Sequence, residues 1–159
     1  MGRWKERSTW RGASRVAGAA LLLAVATQAR GELPALLERW SWPVEGVVTS
    51  LHGPRGERFH AGVDVAAPEG RAVVAGRRGR VVKAGNRGAY GLCVELVHAD
   101  GWTSRYGHLS AIEVAVGDEV TRSTPLGRVG QTGNATGPHV HYEIRDAHGR
   151  PVNPAMVAR

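Results

Sequence analysis

From Trp42 onward the chain never keeps apolar residues at i, i+3, i+4 and i+7 through three helical turns. Glycine sets the pattern instead. Twenty-two of 159 residues are glycine, about twice the usual share of roughly 7%, and they cut the sequence into short β-rich runs. The glycines follow no Gly-X-Y period, which excludes a collagen-like rod and leaves turn-dense β-structure. Strands are expected near residues 46–51, 61–66, 72–75, 79–84, 91–98, 102–106, 126–130 and 139–144. Ala99-Asp100-Gly101 reads as a hairpin with the favoured Asp-Gly turn, and Gly117-Asp118 and Gly133-Asn134 mark further turns. The expectation is one all-β domain over 42–157, a compact antiparallel sheet, after a short linker over 30–41. A hydrophobic share of 42% is ordinary for a globular protein and excludes wholesale disorder.

The N-terminus has a different composition. Residues 1–15 are basic, Val16–Ala26 is an unbroken apolar run, and small residues follow at Ala24 and Ala26 or at Thr27 and Ala29. This is the three-part layout of a secretory signal peptide, with cleavage expected at about 26–29. The run is shorter than the ~20 residues that span a bilayer as a helix. No stable membrane span is therefore expected after cleavage, and the mature protein is expected in the periplasm, the cell envelope or the medium.

The net charge of +7 divides unevenly. Arg3, Lys5, Arg7, Arg11 and Arg15 against Glu6 give residues 1–29 a net of +4. The rest keeps 16 of the 21 bases and 13 of the 14 acids, a net of only +3. So weak a balance gives no support to nucleic-acid binding. Cys93 is the only cysteine, which excludes an intramolecular disulfide and a cysteine-rich zinc site, and its apolar neighbours Leu92 and Val94 mark it as a small buried hydrophobe.

The seven histidines are informative by placement. His60-Ala-Gly-Val-Asp64 sets an imidazole and a carboxylate four residues apart. In His139-Val140-His141 the period of a strand sends both imidazoles to one face, followed on that face by Glu143. His108 lies at the end of the second hairpin strand. Two imidazoles side by side with a His/Asp pair from elsewhere suit a borderline metal such as zinc, and three protein ligands with an open position mark a catalytic site. A lone His-x-His is more commonly a surface pair, and spacing alone does not choose which of the five groups bind metal. His52 is expected in a loop near a cleft rim, His98 in a hydrogen-bonded structural role, and His148 in an exposed terminal turn.

His60-Ala-Gly-Val-Asp64, Tyr106-Gly-His108-Leu109 and Thr132-Gly-Asn-Ala-Thr-Gly-Pro-His139-Val-His141-Tyr-Glu143 together resemble the M23 peptidases, the lysostaphin and LytM type of zinc endopeptidase that cuts peptidoglycan peptides. The resemblance runs from Trp42-Pro43 to Val152-Asn153-Pro154 and takes in Tyr90-Gly91. It implies the family's duplicated hybrid fold and one zinc ion held by His60, Asp64 and His141. It also implies His108 and His139 as catalytic histidines that do not coordinate the metal, and peptidoglycan peptides as substrate. Glu143 and Tyr142 are candidates to support the ligands, Tyr142 being expected to pack on the opposite face. The segment Thr121–Gly127 departs from the family's usual turn. Some relatives have lost ligands and activate other wall hydrolases, so the alternative is a wall-peptide-binding module without catalysis. All five positions are filled here, which favours the enzyme.

Overall fold

The computed structural model describes residues 38–159. The expected signal peptide and most of the expected linker lie outside the described residues. The strands, in chain order, are β1 (Val47–Ser50), β2 (Gly53–Arg55), β3 (Arg58–His60), β4 (Val63–Ala66), β5 (Ala72–Val74), β6 (Gly79–Asn86) and β7 (Leu92–Val97). They continue with β8 (Thr103–Leu109), β9 (Ala111–Ile112), β10 (Glu119–Val120), β11 (Pro125–Arg128), β12 (His139–Arg145) and β13 (Pro151–Val152). The all-β expectation holds, and each expected strand lies on or beside an observed one. The short pieces β2, β3, β9, β10 and β13 were not foreseen. Two or three residues cannot show an alternation, and Gly53-Pro54 reads as a turn.

An eight-stranded antiparallel sheet runs β1-β4-β12-β8-β7-β6-β10, with β13 also on β12. A three-stranded sheet, β5-β11-β9, the β2–β3 hairpin, a 3-10 turn at Gly88–Tyr90 and a short helix, Pro154–Val157, complete the fold. On β12, Val140, Tyr142 and Ile144 face the core with Val63 and Val65 of β4, Tyr106 of β8, Val94 and Leu96 of β7, and Val73 and Leu126 from the small sheet. Each such fully buried side chain contributes about 1.5–3 kcal/mol relative to exposure. Tyr106 and Tyr142, opposite one another in register, stack at 5.3 Å between ring centroids. This places Tyr142 on the core face, as expected, and His139, His141 and Glu143 on the other.

Trp40 and Ser41, read from sequence as linker, pack on the domain. Trp40 is buried, pairs with Ala158, and meets His98 edge-to-face at 4.7 Å. His98 has the structural role expected of it. Its Nδ1–H donates to the Arg78 carbonyl (2.6 Å) and its Nε2 accepts from the Ser104 hydroxyl (3.0 Å). Burial lowers the His98 pKa from its usual 6.5. The unfolded chain therefore binds more protons below about pH 6.5, and this contribution to stability falls as pH drops from there toward the lowered folded value. We expect Tm to fall less between about pH 7.5 and 5.5 in His98→Gln than in the wild type, by scanning calorimetry. Cys93 is buried, and burial pushes its thiol pKa up to about 11, so it is inert, as its neighbours indicated. His148 is exposed, and His52, half-buried after β1, packs edge-to-face on Phe59 at 5.0 Å.

Candidate metal centre

Three strands deliver the first three groups. His60 ends β3, Asp64 lies in β4, and His141 is paired directly with Asp64 in the β4–β12 ladder. His60 Nε2 stands 3.1 Å from Asp64 Oδ1 and 3.0 Å from His141 Nδ1, and His141 Nδ1 stands 2.8 Å from Asp64 Oδ1. Ligands about 2.0–2.1 Å from a tetrahedral zinc lie roughly 3.3 Å apart, close to this spacing. The remaining nitrogens are engaged elsewhere: His60 Nδ1 lies 2.8 Å from the Leu51 carbonyl oxygen and 2.7 Å from Arg55 Nη2, and His141 Nε2–H donates to Glu143 Oε1 (3.0 Å). Each imidazole thus turns a bare lone pair toward the same point. Burial opposes ionisation of Asp64, but with no metal bound His141 and His60, in their protonated forms, and the Arg55 guanidinium hold its carboxyl well below the usual range. Arg55 Nη2 lies 3.1 Å from the outer oxygen, Oδ2. Two imidazoles and a carboxylate in this arrangement fit a zinc ion.

Gly62 explains how His60 and Asp64 reach β12. A Cβ built there would stand 2.3 Å from the Tyr142 carbonyl oxygen, so only glycine permits this approach. Gly62→Ala should push β4 off β12, cost about 1–3 kcal/mol, and spread the three ligand atoms. Calorimetry and metal content of the purified variant test it together.

His108 arrives by a different route. Strict alternation along β8 would send it to the core with Tyr106. The β7–β8 register slips between Leu92↔Leu109 and Val94↔Tyr106, so β8 carries one extra residue at Gly107-His108. His108 takes φ +62°, the one positive φ outside glycine among the described residues. The bulge swings its ring to 4.7 Å from that of His139 and 6.0 Å from that of His141. Thr132 locks the bulge. Its carbonyl accepts from His108 Nδ1–H (2.8 Å), its hydroxyl donates to the Leu109 carbonyl (2.7 Å), and its Oγ1 accepts from Leu92 N–H (2.9 Å). His139 Nδ1–H donates to the Gly137 carbonyl (2.8 Å), and its Nε2 lies 3.8 Å from Asp64 Oδ1.

All five residues singled out from the sequence therefore converge at one place. Thr132, Tyr90 and Arg55 also contribute, although they carried no role in the sequence reading. Tyr90 and Thr132 lie inside recognised motifs, and only the contacts show what they do. Glu143, 1% exposed, supports His141 directly. Burial opposes its ionisation too, but hydrogen bonds from His141 and Tyr90 and the charge of Arg105 bring its pKa down to about 2. Beside the centre a cleft of about 320 Å³ runs between Thr49 and Ala66 on one wall and Thr136–Pro138 on the other, with Asp64 and His139 in its lining. A larger cavity, about 730 Å³ and lined by Trp42, Val44, Val65 and Ala72 among others, holds none of the five.

Fold and site define an all-β domain with a candidate His/Asp/His metal centre. The pattern of Peptidase family M23 matches residues 58–154, and the chain belongs to that family. It is 46% identical over 101 residues to the DD-carboxypeptidase/endopeptidase Mpg of Neisseria meningitidis serogroup B, a match covering 64% of this chain and 23% of that protein. It is 36% identical over 115 residues to the murein hydrolase activator EnvC of Escherichia coli, covering 71% of this chain and 27% of that one. The chain spans about a quarter of the length of these curated relatives. Among solved structures, a zinc-containing peptidase from Vibrio cholerae superposes with a TM-score of 0.69 at 30% identity, over 76% of this chain and 40% of that one.

Proposed function

We propose that the protein is an exported zinc endopeptidase that hydrolyses peptide stems or cross-links of bacterial peptidoglycan. The observation that carries this is the convergence of the three ligand atoms with two further histidines that keep their Nε2 atoms uncommitted to backbone. His60, Asp64 and His141 would hold the zinc. Once bound, zinc supplies a Lewis acid and lowers the pKa of water toward neutrality.

The chain's own residues do the rest. Burial lowers the pKa of His108 from 6.5, so it is neutral at ordinary pH and can accept a proton at Nε2. Its Nδ1–H, held on Thr132, keeps that nitrogen from competing. His139, fixed the same way on Gly137, offers a second Nε2 on a ring whose centroid lies 4.7 Å from that of His108. One imidazole takes the proton of the attacking water, and the protonated form returns it to the leaving amine. The other, when it carries a second proton, donates Nε2–H toward the developing oxyanion. The adjoining cleft has small, uncharged walls apart from the site residues, which suits an extended peptide with small side chains at the scissile bond.

Export rests on the basic, apolar and small-residue succession of the first 29 residues. The similarity to EnvC supports a second reading, a module that binds wall peptide and activates another hydrolase. Digestion of purified sacculi of known cross-link type, with mass spectrometry of the products, decides between them. Released peptides that disappear with chelator and return with zinc are expected. Intact sacculi with bound protein would favour the activator.

A further inference from the structure

Glu143, Arg105, Glu95 and Lys83 lie directly opposite one another on β12, β8, β7 and β6, in four consecutive strands of the large sheet. Their charges alternate across the sheet, and each touches the next. Arg105 Nη1 donates to Glu143 Oε2 (3.1 Å), Arg105 Nε donates to Glu95 Oε1 (2.7 Å), and Lys83 Nζ reaches Glu95 Oε2 (2.9 Å). The row begins at the metal centre, where Glu143 accepts from His141 Nε2–H, and ends at Lys83, whose side chain is 45% exposed.

Both oxygens of Glu143 are fully engaged. Oε1 accepts from His141 and from the Tyr90 hydroxyl (2.7 Å), while Oε2 accepts from Arg105 and from Arg145 Nε (2.9 Å). The Arg105 guanidinium also lies 4.5 Å from the Tyr90 ring centroid, so it braces the second donor to Oε1 as well. A carboxylate with four donors in fixed directions cannot rotate without losing several charge-assisted bonds in a buried setting. His141 is thereby given one tautomer and one ring orientation.

We propose that this cross-strand charge row is a positioning device, in which Glu143 and, one strand further out, Arg105 set the His141 tautomer and through it the affinity of the site for zinc. The inference rests on the proposed metal reading of the site. Among the described residues Arg105 bonds to Glu143 and Glu95 and lies over the Tyr90 ring, and it makes no hydrogen bond or ion pair with a proposed ligand, so its effect on zinc binding passes through Glu143. Arginine suits the middle position because its rigid planar fork serves both carboxylates in fixed directions, whereas a lysine ammonium is a point charge on a flexible stem.

The test is zinc affinity by competition with a chromophoric chelator for the wild type, Glu143→Gln, Arg105→Met and Lys83→Met. A second measurement, imidazole ¹⁵N shifts of the metal-free proteins, reads the His141 tautomer. Glu143→Gln should weaken zinc binding about 10–100-fold, as loss of a partner to a ligating histidine typically does. Arg105→Met should weaken it by roughly tenfold and mix the tautomers, and Lys83→Met, at the exposed end, by no more than about twofold. Wild-type zinc affinity and a single unchanged tautomer in both Glu143→Gln and Arg105→Met would overturn the inference. So would an equal loss in all three variants, which indicates general destabilisation. If Glu143→Gln does not fold, Arg105→Met decides by the same two readouts. A wild-type protein that binds no zinc overturns the metal reading instead, and the metal-free tautomers still judge the row itself.

Discussion

Replacing His141 with alanine should empty the metal centre and abolish hydrolysis. The substitution removes the nitrogen that stands 3.0 Å from His60 Nε2 and 2.8 Å from Asp64 Oδ1, leaving two protein ligands where a catalytic zinc site keeps three. It also leaves Glu143 without one of its donors in a position that is 1% exposed. Activity should fall by more than about 10⁴-fold, beyond what loss of an acid–base group alone costs. Zinc measured by atomic emission should drop to background. Three ligands drawn from segments as far apart as residues 60 and 141 also tie the fold together, so the wild type should lose thermal stability on chelation and regain it with zinc. His141→Ala should show the lower Tm in both states. Full activity with zinc near zero would refute the proposed chemistry.

His139→Ala, two residues earlier on the same face, should behave differently. It leaves the three ligand atoms in place and removes an imidazole whose Nε2 lies 3.8 Å from Asp64 Oδ1. Zinc should stay bound while the rate falls about 10²–10⁴-fold, the usual worth of a positioned acid or base. His108→Ala should match it, because the two rings lie 4.7 Å apart and serve one transition state. The double variant should then lose less than the product of the single losses. Metal content measured beside hydrolysis rate separates the roles. If His139→Ala empties the site while His141→Ala keeps its zinc, the assignment along β12 is reversed. If His141→Ala, His139→Ala and His108→Ala all keep both zinc and wild-type rates, the catalytic assignment of these residues fails.

The strand period made much of the site legible in advance. His139, His141 and Glu143 share a face because side chains alternate along β12, and Tyr142 points to the core for the same reason. His60 and Asp64 were legible as a pair by their four-residue spacing, whereas the close approach that demands glycine at Gly62 is visible only once β12 lies alongside. His108 was legible only by motif. The same period that placed His139 and His141 correctly would have sent His108 into the core. The packing of Trp40 and Ser41 was not legible at all, since nothing local to the 30–41 segment signals contact with Ala158 or His98.

Glycine-cut runs without helical period already make the chain all-β, and strand alternation already puts the candidate metal-binding residues of β12 on one face. Tertiary structure decided the rest. It chose His60, Asp64 and His141 as the mutually facing set, turned His108 out of the core through a bulge held by Thr132, and aligned Glu143, Arg105, Glu95 and Lys83 across four strands. The physical reason is common to all three. Local periodicity fixes the direction of a side chain along its own strand. Register between strands distant in sequence fixes what that side chain meets, and register is set by the packing of the whole sheet.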